Sequence, residues 1–203
     1  MELYVKIKSS FLVIIVIMAG GAGVVLWNQN TLREAFHSMR NSYQLEEDFL
    51  ECRRQEKNFV LRQDAESLRL HQTHYDSLHA LTTRLTRETL HPGIREKFVA
   101  LEQSERSYHS LFAGVVRTLQ TGSVPQGSLE SPAHPLVQEA RRVHSLIYEI
   151  RDEATRQFTK TRASTHMVNL AALLLSVFLA VILAGYLSDR IRDHVDTKPE
   201  TGS

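Results

Sequence analysis

The chain has 203 residues and a formal net charge of +1, enough for one ordinary domain or a smaller domain with anchors, and too little net positive charge to suggest a nucleic-acid partner. Its one cysteine, Cys52, excludes an internal disulfide, so any folded domain must hold together by packing. No Gly-rich phosphate loop, nucleophile motif or metal signature occurs, so neither an enzyme nor a cofactor is expected.

Residues 1–10 place Lys6 and Lys8 ahead of a charge-free run, Phe11 to Trp27. That run approaches the ~20 residues an α-helix needs to cross the hydrocarbon core. It also lacks the polar face of a buried soluble helix. A cleaved signal peptide is the competing reading, given the basic start and the small residues Ala19 to Gly23. Apolar character continues through Val24, Val25 and Leu26, longer than an ordinary signal core, and Trp27 suits an interfacial anchor. Residues 11–27 are therefore expected to remain as a first transmembrane helix.

Residues 28–166 are polar, rich in Arg, Glu, His and Gln, and show apolar positions spaced alternately by four and three. The first quarter runs Leu32, Phe36, Met39, Tyr43 and then slips to Leu45, Phe49, Cys52, Glu56, Phe59. The second is Leu68, His71, Tyr75, Leu78, Thr82, Leu85. The third is Ile94, Phe98, Leu101, Glu105, Tyr108, Phe112, Val115, Leu119, and the fourth Leu136, Ala140, Val143, Ile147, Ile150, Ala154. Gln63-Asp64 offers a helix cap, His91-Pro92-Gly93 a tight break, and Thr121 to Pro135 a Gly/Ser/Pro loop. Short connections between long helices predict an all-α, antiparallel up-down-up-down four-helix bundle.

A second charge-free run, Met167 to Leu187, predicts a second transmembrane helix at 167–187, followed by a short tail at 188–203. Arg190, Arg192 and Lys198 follow it, so both termini are expected in the cytoplasm and residues 28–166 outside. Nothing Gly- or Pro-rich separates either run from the helix beside it, so a displacement of the bundle could pass along a rigid helix. Ala19 with Gly23, and Ala180 with Ala184, form small-xxx-small pairs that permit close helix approach.

The stretch Glu51 to Asp64 contains Arg53-Arg54, Glu56-Lys57, the aromatic Phe59 and Leu61-Arg62. This pattern resembles one in the extracytoplasmic four-helix sensor domains of bacterial chemoreceptors and histidine kinases, of the helical bimodular or a related type. The helical bimodular form is longer, stacking two modules. The resemblance implies a periplasmic, ligand-responsive domain anchored in the bacterial inner membrane, working as a homodimer and relaying binding through its second span. Asp189 to Val195 resembles the opening of a HAMP helix, with His194 and its neighbours where a Pro is expected. The tail then gives no output domain, which implies a stand-alone or degenerate sensor, one that depends on a membrane signalling partner carrying the output, or a fragment of a longer chain. The reading from another class is a structural or adaptor protein whose bundle docks a protein.

At ~1.5 Å per helical residue, Arg53 and Arg54 lie about 40 Å beyond Trp27. The same count places Arg141, Arg142, His71 and His109 to Phe112 at that level. Arg53, Arg54, His71, Arg141 and Arg142 therefore form a candidate ligand site for a small anion such as an organic acid, because guanidinium groups hold carboxylates in two-point contacts. The bland reading is solvated arginines whose stems cover apolar surface. Glu56 and Glu105 fall on the inward seams, where carboxylates need partners, either in a structural ion pair or against a ligand. His71 and His74 lack a third ligand at fixed spacing, so no metal is expected, and Cys52 reads as a small core residue.

Overall fold

The computed structural model describes residues 2–89, 92–122 and 134–196. Among the described residues the chain is all helical, with four helices and no strand. These are α1 (Glu2–Arg62), α2 (Ala65–Glu88), α3 (Pro92–Gln120) and α4 (Pro135–Asp196).

The helix ends follow from local chemistry. Gln63 adopts φ 53°, which turns the chain after α1, and its N–H donates to Phe59 O at 2.7 Å. Asp64 then caps α2, accepting from Ser67 N at 2.7 Å and from Ser67 Oγ at 3.0 Å. Those donors hold the Asp64 carboxyl below its usual range. The expected break at 91–93 is shorter than anticipated. Pro92 and Gly93 already lie in α3, because a proline in the first turn gives up no helical hydrogen bond. His91 lies outside the described residues. Gly122 closes α3 at φ 70°, a conformation glycine enters without cost, and its N–H donates to Leu119 O. Most of the expected 121–135 loop, and the end of the tail from 197 on, lie outside the described residues.

The chain divides into two compact units. One is Ala35–Phe158, and its core joins residues of all four helices. Contacts give the directions of neighbours. His71 meets Phe112, Tyr75 meets His109, and His79 meets Glu105, so α2 and α3 run antiparallel. Glu46 with Arg151 and Phe36 with Phe158 set α1 and α4 antiparallel as well.

The seams of the second, third and fourth quarters supply this core, with Leu68 and Ile94 at its margin. On α1 the phase slip is resolved at Ser42, which is buried while Tyr43 is half exposed. Spacing there is three and three, Met39 to Ser42 to Leu45, before the four-three pattern resumes. A small hydroxyl fits the inward position because it bonds back to Met39 O at 2.6 Å.

The second unit gathers the described residues up to Glu34 and from Thr159 onward. Within it Asn28 Nδ2 donates to Asn169 Oδ1 at 3.2 Å, and a Cβ on Gly21 would stand 3.6 Å from Ser176 Oγ. Gly23, half of an expected small-residue pair, is approached by nothing within 4 Å, so the close approach uses Gly21 instead. Leu173, Leu174, Phe178 and Val181 are all exposed. Among the described residues one helix, over Pro135–Tyr186 of α4, is long and apolar enough to cross a membrane.

Candidate functional site

A chain of polar side chains runs from the surface of α1 into the core. Arg53, mostly covered, donates to the buried Glu56 carboxylate one turn on, an i,i+3 pair on one helix face. Tyr108 of α3, fully buried, donates its hydroxyl to Glu56 Oε2 at 2.6 Å. His71 Nε2 of α2 lies 3.4 Å from the same hydroxyl. Since that hydroxyl gives its proton to Glu56, it accepts from the Nε2–H of a neutral imidazole. Burial first, then His109, Arg53 and His74, push the His71 pKa down to about 3, which keeps the ring neutral. Burial, then Glu56, pushes the Tyr108 hydroxyl well above its usual value. The charge of Glu56 is thus met by one guanidinium and one phenol, and the neutral end of the chain stops at His71.

Glu105 forms a separate polar centre. It is fully buried, accepts from Thr82 Oγ1 at 2.5 Å, and has His79 Nδ1 at 3.4 Å. Burial outweighs the Thr82 bond and pushes its pKa up to about 8. Beside it the rings of Tyr75 and His109 stack 4.0 Å apart, and His71 sits 4.0 Å from the Phe112 centroid. Cys52 is buried on α1, its Sγ 3.8 Å from His71 O. Burial, then Asp48, Glu105 and Glu56, raises its thiol strongly, so it packs as an uncharged residue.

At the outer end of the first chain, α1 and α4 line an open cavity of about 360 Å³. Arg53, Glu56 and Lys57 form its polar end, and Val60, Leu61, Leu136 and Val137 the rest of its lining. Arg53 and Lys57 are four apart on α1 and so project to one side.

The expected ligand residues are placed unequally. Arg53 and His71 belong to one connected network, with Glu56 and Tyr108 between them. Arg54 points away: its side chain is 66% exposed and pairs with Glu51 at 2.7 Å. Arg141 and Arg142 are exposed on α4, and neither lines the cavity, whose α4 wall comes from Leu136 and Val137. Glu105 stands in its own centre with Thr82 and His79. His74 turns from His71 toward Asp48, 3.5 Å away. No group of three His, Cys, Asp or Glu side chains among the described residues is arranged to hold a metal ion. Lys57 and the apolar wall were missed from sequence. The Arg53–Lys57 spacing of four could have found the lysine, whereas the wall depends on the register of α4 against α1.

The chain matches no protein-family model, no curated protein and no solved structure.

Proposed function

We propose that the protein is a two-pass membrane sensor of the chemoreceptor-like kind. In this reading residues 11–27 and 167–187 cross the bacterial inner membrane, and residues 28–166 stand in the periplasm as an up-down-up-down four-helix bundle. A small anion enters the cavity at Arg53 and Lys57 and competes for the guanidinium that now neutralises Glu56. Glu56 then pulls harder on its remaining partner, Tyr108, which shifts α3 and the core. The response leaves through α4, one unbroken helix from the cavity wall at Leu136 to the apolar run, toward a membrane partner that carries the output.

The observation that carries this reading is the link between cavity and core: Glu56 lines the cavity and accepts from buried Tyr108 at 2.6 Å. A ligand that binds only the folded form raises its melting temperature. The full chain, purified in detergent, should melt higher with at least one small carboxylate, and Lys57→Met should remove that shift. A well-folded chain that responds to no anion in a broad panel would instead favour a protein-docking role.

A further inference from the structure

We infer that the ligand of this cavity is a monocarboxylate with an apolar tail; the inference rests on the sensing role proposed above and names its ligand class. Charge is the first reason. Arg53 and Lys57 bring two positive charges to the polar end, and Glu56 lining the same end already binds Arg53. One net positive charge remains, which a single carboxylate neutralises. A second carboxylate would meet Glu56 or the apolar wall, losing its water without gaining a cation.

The wall is the second reason. The side chains of Val60, Leu61, Leu136 and Val137 offer only carbon, and Leu61 is 63% exposed. The first turn of a helix ordinarily presents free N–H groups to a ligand. Here Leu136 N donates to His134 Nδ1 at 3.2 Å, and the N–H groups of Val137 and Gln138 both donate to His134 O. The start of α4 therefore faces the cavity with apolar side chains rather than open donors. Val60 and Leu136 are already buried, so the gain comes from covering Leu61 and the half-buried Val137, in proportion to the area removed from water.

Size is the third. At ~30 Å³ per water-sized group, about 360 Å³ accommodates roughly twelve such groups, room for a carboxylate and a chain of several carbons. The order along α1 fixes the pose. The carboxylate sits at the level of Arg53 and Lys57, and the tail lies along Val60 and Leu61 against Leu136 and Val137.

The test is calorimetric titration of the full chain in lipid nanodiscs with butanoate, hexanoate and octanoate, alongside succinate and hexanol, blanked against empty nanodiscs. Affinity should rise roughly three- to fourfold for each added methylene until the wall is covered. Hexanoate should bind at least tenfold more tightly than succinate or hexanol. Lys57→Met should weaken hexanoate at least tenfold while the unliganded melting temperature stays put. Leu61→Ser should flatten the chain-length dependence and spare butanoate, which separates loss of the wall from loss of the fold. Succinate binding more tightly than hexanoate, or affinity independent of chain length, would overturn the apolar tail and leave the sensing role standing. Hexanol matching hexanoate would overturn the carboxylate. No binding by any of these acids would overturn the ligand class, and the broad anion panel above would then decide the sensing role separately.

Discussion

Two stretches of α4 obey opposite rules within one helix. Between Leu136 and Ala154, apolar residues recur at spacings of four and three and are buried, while Arg141, Arg142 and Tyr148 stay outside. From Met167 on, apolar residues cover every face, and Leu173, Leu174, Leu175, Phe178 and Val181 remain exposed. The first stretch is stabilised by a partner surface that removes it from water. Along the second, most described apolar side chains stay uncovered, and its length and composition suit a hydrocarbon surrounding. Side-chain apolarity alone therefore says little about where stability resides. The position of neighbours decides it.

That contrast can be broken by truncation. Phe49→Ala removes a buried ring packed against Tyr108 and His144, and should destabilise the 35–158 unit by about 3–5 kcal/mol in chemical denaturation followed by circular dichroism. A polar deletion in the same core comes next. Tyr108→Phe keeps the ring but takes a hydrogen bond from buried Glu56, and should cost about 1–3 kcal/mol.

The buried titrating groups sharpen the comparison through pH. Glu105 holds its proton more tightly folded than unfolded, so its contribution is full below its ordinary 4.5 and is lost as pH rises to about 8. His71 acts oppositely: its contribution is full above its ordinary 6.5 and is lost as pH falls to about 3. The two slopes offset between 4.5 and 6.5. Above 6.5 only Glu105 remains, and stability should fall by about 1.4 kcal/mol per pH unit, on the order of 2 kcal/mol by pH 8. In Glu105→Gln that alkaline decline should vanish while the acid-side loss through His71 persists. The smallest effect belongs to the other stretch. Leu174→Ala, at a side chain 61% exposed, should change the stability of the 35–158 unit by less than about 0.5 kcal/mol.

How much of this was legible in the sequence depended on the range of the interaction. The inward seams of α2, α3 and α4 were visible because helix periodicity is local, and Glu56 and Glu105 stood out as polar residues on apolar positions. Ser42 was not visible, since a small hydroxyl at an inward position carries no apolar signal; only the slip between Tyr43 and Leu45 betrayed it. The arginine level was counted from helical rise, which brings Arg53 near His71 but cannot tell which way a side chain points. Arg54, one residue on, faces away and pairs with Glu51. The bond from Tyr108 to Glu56 joins residues 52 apart, and the Leu136–Val137 wall depends on how two long helices meet. Neither register is written in any short window of residues.

The claim that one helix serves two surroundings is tested most directly by cysteine labelling along α4. Cys52 is the chain's one cysteine and is buried, so Cys52→Ser supplies a blank background. Tyr148→Cys, Leu174→Cys and Arg192→Cys would each be exposed to a membrane-impermeant maleimide in intact spheroplasts and again after lysis. The expected result is labelling at 148 from outside, none at 174 until detergent dissolves the membrane, and labelling at 192 only after lysis. Equal labelling of 148 and 192 in intact spheroplasts, or ready labelling of 174, would contradict the membrane assignment and the sensing role built on it.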